Sequence, residues 1–274
     1  MCAPKVMDVV NKQLLRRDLF KASLVGAASA ALATSRVKAQ EMMLSTNNLV
    51  DLSHTVHADI PMWPGTPSPE VSTLVTVADD GFYGNVWTLW EHTGTHMDAP
   101  AHFIEGAATA DQLDVASFIV PIAVVDIAEK AATDPDAVVK VADLEAWEAE
   151  HGELPAGAVV LMHSGWAERI TDPESYRNTD ADEVMHFPGF SAEAAEFLVS
   201  ERDITGIGTD TLSLDPGNSA TFDAHVTVLG ASKYGLENVA NLPNIPAAGA
   251  HLIVGQPKLQ DASGGPVRLL AAFA

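Results

Sequence analysis

Beyond residue 48 the chain alternates short apolar runs with turn-forming residues. The runs at 49–53, 71–77, 86–90, 119–127, 158–163, 204–208 and 251–254 are short and turn-bounded, which predicts strands. Helical patterns are fewer. Residues 142–151 follow an extended 138–141 and carry Leu144 and Trp147 among acids. Residues 191–201 open on Ser191 as a cap, place Glu193 in the first turn and put Ala194, Ala195, Leu198 and Val199 on one face. Residues 233–242 predict a third, short helix interrupted by Gly235. Many strands with few helices, and no repeat or long linker, predict a single α/β or α+β domain over residues 40–274. The strand order is not legible in this pattern.

The first 39 residues follow a different grammar. Arg16 and Arg17 precede Asp18, Leu19, Phe20 and Lys21; an apolar run covers 22–33, and a short polar stretch ends at Ala39. A charged start, a dozen apolar residues and a small-residue cleavage site make an export signal. The paired arginines point to the twin-arginine route, with Leu19 before Phe20 reversing the usual order. The apolar run is too short to span a bilayer, which takes about 20 residues. A periplasmic or otherwise exported location is therefore expected.

Charge and cysteine usage narrow the chemistry. Hydrophobic residues make up 47% and charged residues 19%, which suits a soluble globular fold. Removing residues 1–39 takes away 7 of the 15 basic and 2 of the 37 acidic residues, leaving 8 against 35 and a formal net charge of −27. Such a surface argues against nucleic acid and anionic membranes as partners and leaves a small molecule as the expected one. The only cysteine is Cys2, so residues 40–274 hold no disulfide, thiolate ligand or cysteine nucleophile. Any metal there must be bound through nitrogen and oxygen.

The densest chemistry lies in His92-Thr93-Gly94-Thr95-His96-Met97-Asp98-Ala99-Pro100-Ala101-His102. Gly94 and Pro100 argue against a helix. If the segment runs extended, His92, Gly94, His96, Asp98 and His102 share one face, with Gly94 leaving room beside them. Imidazole with carboxylate suits Zn²⁺ or Mn²⁺. The remaining histidines, at 54, 57, 151, 163, 186 and 251, read as core or surface residues.

This string resembles the HxGTHxDxPxH signature of the cyclase-like metal hydrolases, the family of bacterial kynurenine formamidase and isatin hydrolase. The likeness extends to Asp51-Leu52-Ser53-His54, to Trp63 within Pro61–Gly65, to Ser164-Gly165-Trp166, to Pro188–Ser191, to Gly208–Asp215, and to His225 twelve residues before Glu237. It implies a swivelling β/β/α arrangement in one domain. It also implies that His92, His96 and Asp98 hold one metal, with Asp98 bridging to a second ion on His225 and Glu237. If only one ion binds, the latter two instead hydrogen-bond its ligands or contact the substrate. His102 is then the proton shuttle and Trp63 a wall of the substrate pocket. A homo-oligomer, most simply a dimer, is expected from the same likeness.

The implied activity is hydrolysis of a small amide, lactam or N-formyl substrate by activated water, with His102 as general base. No Gly-x-Ser-x-Gly elbow offers a serine nucleophile. Two other readings stay open: a lactone hydrolase or cyclase on the same scaffold, and a periplasmic metal-binding protein without turnover. The binding protein has no use for a non-ligand histidine in the motif.

Overall fold

In the computed structural model of the protein the described residues are 48–274. The export-signal expectation for residues 1–39 lies outside them. The strands are β1 (Leu49–Asp51), β2 (Glu70–Val75), β3 (Gly84–Thr88), β4 (His96–Asp98), β5 (Ile119–Asp126), β6 (Val138–Val139) and β7 (Ala158–His163). They continue as β8 (Gly189–Phe190), β9 (Ile204–Thr209), β10 (Tyr234–Glu237), β11 (His251–Gly255), β12 (Gly264–Pro266) and β13 (Arg268–Ala272). Among the described residues the three longest helices are α1 (Val141–His151), α2 (Ala192–Glu201) and α3 (Asp223–Gly230).

Nine strands make one mixed sheet in the order β1-β13-β11-β5-β7-β9-β10-β4-β12. Its centre, β5-β7-β9-β10, is parallel. Antiparallel β11, β13 and β1 extend one side, and antiparallel β4 and β12 extend the other. Parallel strands covered on both faces carry apolar side chains on both, and alternation sorts those side chains between two cores. Ile122, Val124, Val159 and Leu161 enter one core with Leu252, Leu269 and Met97. Ala123, Val125, Val160 and Met162 enter the other, under Leu144 and Trp147 of α1, Leu198 of α2 and Val228 of α3. This is the single α/β domain expected from the sequence, with a large sheet and few helices.

The structure departs from the pattern in several places, with β12 and β13 lying where no strand was predicted. Residues 233–242 are not a helix: Tyr234–Glu237 is a fully buried strand between β9 and β4. Ladder hydrogen bonds on both sides outweigh the weak helical spacing, and Gly235 had already lowered that helix's propensity. Helix α3 was not predicted, and its Val226-Thr227-Val228 run has low intrinsic helix propensity. The motif is a strand that runs into a turn: His96–Asp98 is strand and Pro100–His102 closes into a 3₁₀ turn. The Ser191 cap is present, accepting from the Ala194 amide.

Asp210 ties the end of β9 to the turn after β7. Its buried carboxylate accepts from the Ser164 amide (3.1 and 3.0 Å), the Ser164 hydroxyl (2.5 Å) and the Trp166 amide (3.2 Å). Burial raises its pKa above the ordinary aspartate value, against the pull of those donors. Asp210→Asn keeps the shape but turns an amide NH₂ toward groups that themselves donate. It should cost about 1–3 kcal/mol in urea-induced unfolding, whereas no measurable loss would show that the hub adds nothing to stability.

Candidate metal centre

Strand β4 presents the motif between two neighbours. On β10, Glu237 lies opposite His96 and Gly235 opposite Asp98; on β12, Pro266 and Gly264 take those places. Residues directly opposite share a face, so pairing with β10 brings Glu237 to His96 across a gap of 141 residues. His92 reaches the same point because the chain bends at Gly94, where φ is +61°. A side chain there would be strained, and its Cβ would meet Ile60 and Val56 methyl carbons at 3.1 Å. His102 returns on the 3₁₀ turn and stacks on His92, with ring centroids 3.8 Å apart.

His225 comes from the first turn of α3. Asp215 holds it there, accepting from the Ala224 amide (2.7 Å), the His225 amide (3.1 Å) and His225 Nδ1 (2.6 Å). One carboxylate thus caps the helix and orients its histidine. Every residue read as a site residue from the sequence is at or around this point, including Trp63 on the pocket wall.

The hydrogen bonds fix which nitrogen of each ring faces inward. Ser263 donates its hydroxyl (2.6 Å) and its amide (2.8 Å) to Glu91 Oε2. Its oxygen must therefore accept from His92 Nε2 at 2.9 Å, which leaves the His92 Nδ1 lone pair 2.7 Å from Asp98 Oδ1. His96 Nδ1 donates to the Gly94 carbonyl at 2.8 Å. His96 Nε2 is buried 3.3 Å from Asp98 Oδ1 and 3.2 Å from Glu237 Oε2, yet is aligned with neither. With Nδ1 on Asp215, His225 Nε2 lies 3.2 Å from Asp98 Oδ2 and 3.0 Å from Glu237 Oε1.

Three imidazole lone pairs therefore point at two buried carboxylates, acceptors facing acceptors. Only protons or a cation between them relieve the repulsion. Against burial, which disfavours the charged ring, Asp98 and Glu237 raise His96 to about 10. His225 is likewise raised, Asp215, Asp98 and Glu237 together outweighing its burial. Burial also works against the Asp98 charge, but the surrounding imidazoles hold its pKa well below the usual carboxylate range. The donor set fits a divalent ion: ligand atoms of His92, His96 and Asp98 lie within 4.8 Å of one another, as do those of Asp98, His102 and His225.

His102 differs from His96 and His225. Burial lowers it to about 4, so its ring is neutral at neutral pH. It faces a cavity of about 230 Å³ walled by Trp63, Trp90, Phe103 and Phe222, with the metal-facing histidines at its floor. Trp63 tilts against Phe222 at 5.8 Å, and Phe103 stacks on His225 at 4.5 Å.

The sequence reading missed Glu91, Ser263 and Asp215. Asp215 closes a segment singled out for its likeness to the family, but nothing in one sequence pairs it with His225. Ser263 precedes Gly264-Gly265, and a Cβ on Gly264 would sit 2.4 Å from the Met97 carbonyl and 2.8 Å from His92 Cε1. That close approach, invisible in sequence, is what seats β12 against the histidine. Ser263→Ala removes the acceptor that sets the His92 tautomer and should weaken zinc affinity about 10–100-fold in a competitive chelator titration. Unchanged affinity would mean that the tautomer needs no such support.

Comparison with known proteins places this geometry. Residues 50–216 match the Cyclase family. Isatin hydrolase of Roseibium aggregatum is 37% identical over 216 residues, covering 75% of this chain and 81% of that protein. Kynurenine formamidase of Sphingopyxis alaskensis is 29% identical over 224 residues, covering 80% and 95%. Among solved structures, isatin hydrolase A from Labrenzia aggregata bound to benzyl benzoate superposes with a TM-score of 0.77 at 35% identity, covering 82% of this chain and 93% of that one. A fold with this mixed sheet, a histidine–aspartate centre on β4 and these relatives together show that the chain belongs to the Cyclase family.

Proposed function

We propose that the protein is a metal-dependent hydrolase that opens the C–N bond of a small lactam, amide or N-formyl compound. The observation that carries this reading is His102 stacked beside His92 and facing an aromatic-walled cavity whose floor is the metal centre. His92, His96 and Asp98 would hold the first ion. Asp98 spreads its two oxygens, Oδ1 toward His92 and His96 and Oδ2 toward His225. That arrangement supports a bridge to a second ion on His225 and Glu237. Zinc and manganese both suit the nitrogen and oxygen donors. A bound ion supplies Lewis-acid polarisation of the carbonyl and acidifies water.

The remaining work falls to the chain. Trp63, Phe103, Phe222 and Trp90 give flat apolar walls that receive a planar ring and exclude bulk water. His102, neutral at working pH, takes a proton from the attacking water as its oxygen bonds to the carbonyl carbon. It then delivers that proton to the leaving nitrogen as the C–N bond breaks, yielding a carboxylate and an amine. Isatin, the substrate named for the 37% identical relative, joins a lactam to an aromatic ring, and N-formylkynurenine is the open-chain counterpart. In the same proposal residues 1–39 direct export, so N-terminal sequencing of exported protein should begin at Gln40.

Purified protein should hydrolyse isatin or N-formylkynurenine, and a chelator should abolish the turnover. Failure on both, with zinc or manganese confirmed bound, would overturn the substrate class. His102→Ala should lower turnover by about 10²–10⁴-fold while metal content stays intact. His96→Ala and Asp98→Ala should lose both. Metal loss in His102→Ala would instead make it a ligand, as its nearness to Asp98 and His225 allows.

A further inference from the structure

Glu91 lies in the chain between Trp90 of the pocket wall and His92 of the metal centre, but it is not one of the groups gathered around the ion's position. Its Oε2 receives both the Ser263 amide at 2.8 Å and the Ser263 hydroxyl at 2.6 Å. The Ser263 carbonyl accepts from the Ala99 amide at 2.9 Å, and the hydroxyl oxygen lies 2.9 Å from His92 Nε2. Every polar group of Ser263 is therefore committed. A hydroxyl has one proton to give, and a carboxylate takes it in preference to a neutral ring nitrogen. What faces His92 is then a lone pair, and Nε2 must carry a proton to meet it.

We infer that Glu91 is a positioning residue for the metal centre: by holding the Ser263 hydroxyl proton it keeps the ring proton of His92 on Nε2 and leaves Nδ1 as the atom that meets the ion. The pull it opposes comes from the site itself. Asp98 Oδ1 is 2.7 Å from His92 Nδ1, close enough to accept a proton placed there. Without Glu91 the Ser263 hydroxyl turns to donate to Nε2, the ring proton moves to Nδ1, and Asp98 accepts it. Both ring nitrogens are then well bonded, in the tautomer that cannot bind an ion through Nδ1. The exchange needs no backbone movement, because Gly264 already seats the chain so close that a Cβ there would lie 2.8 Å from His92 Cε1. Only the direction of one hydroxyl separates the two arrangements. The inference rests on His92 as a metal ligand and is independent of which bond the enzyme breaks.

Competitive chelator titration of the purified full chain reads the effect as zinc affinity. Glu91→Ala should bind zinc about 10–100-fold more weakly than the wild type. Combined with Ser263→Ala, it should bind no more weakly than Ser263→Ala alone, since Glu91 then has no hydroxyl to direct. Losses that add in the double variant would show Glu91 acting by another route and overturn the inference. Glu91→Gln offers an amide oxygen that can accept both Ser263 bonds, and it should keep most of the affinity. A loss as large as that of Glu91→Ala would assign the effect to the carboxylate's charge instead, and would also overturn it. Nitrogen-15 NMR of the His92 ring covers the case of a variant that fails to fold. In the wild type Nε2 should carry a proton with and without zinc, and a bare Nε2 in the zinc-free protein would contradict the inference. In folded, zinc-free Glu91→Ala the proton should sit on Nδ1 with Nε2 bare; a ring unchanged from the wild type would contradict it equally. A wild type that binds no zinc would overturn the metal centre and this inference with it, whereas full binding by Glu91→Ala would overturn the inference alone.

Discussion

Asp98 and Glu237 are both buried, and both approach the same two histidines, His96 and His225. Taking two carboxylates out of water costs several kcal/mol each unless positive charge meets them. Much of the surrounding architecture answers that cost. His92, His96 and His225 each spend their outer nitrogen on a fixed acceptor, respectively Ser263, the Gly94 carbonyl and Asp215. Their inner nitrogens have no freedom to turn away from the carboxylates. The site is pre-organised for a cation by groups that never touch it.

The fold divides the labour accordingly. The parallel centre of the sheet supplies two dry cores and a rigid β10. Antiparallel β4, laid on its edge and flanked by β12, carries His96 and Asp98. Glu237 reaches His96 only because β10 pairs with β4 in that register; a one-residue slip would turn it to the opposite face. Tyr176 strengthens the frame, its hydroxyl lying 2.9 Å from both the Asp210 carbonyl and the Asn238 side chain. Asn238 in turn donates to the Gly94 carbonyl that holds His96. The hub at Asp210 is thereby linked to the metal face through the side chains of Tyr176 and Asn238.

What the sequence made legible follows the range of the forces involved. The motif 92–102 put three histidines and an aspartate within reach of each other by local chain geometry, and the Ser191 cap is equally local. His225, Glu237 and Trp63 came from likeness to a family, because no spacing rule joins them, and so did the proton-shuttle role of His102. The strand at Tyr234–Glu237 was mistaken for helix since its stability comes from neighbours on both sides, not from its own residues. Glu91, Ser263 and Asp215 were missed for the same reason. An acidic or hydroxyl side chain becomes a buttress only when folding places a histidine against it.

The most direct test of the account is anomalous X-ray diffraction from crystals soaked in manganese. The account predicts a peak within about 2.0–2.3 Å of His92 Nδ1, His96 Nε2 and an Asp98 oxygen, typical lengths for nitrogen and oxygen ligands. A well-ordered site with no peak there, or with its histidines turned so that other nitrogens face Asp98, would contradict it.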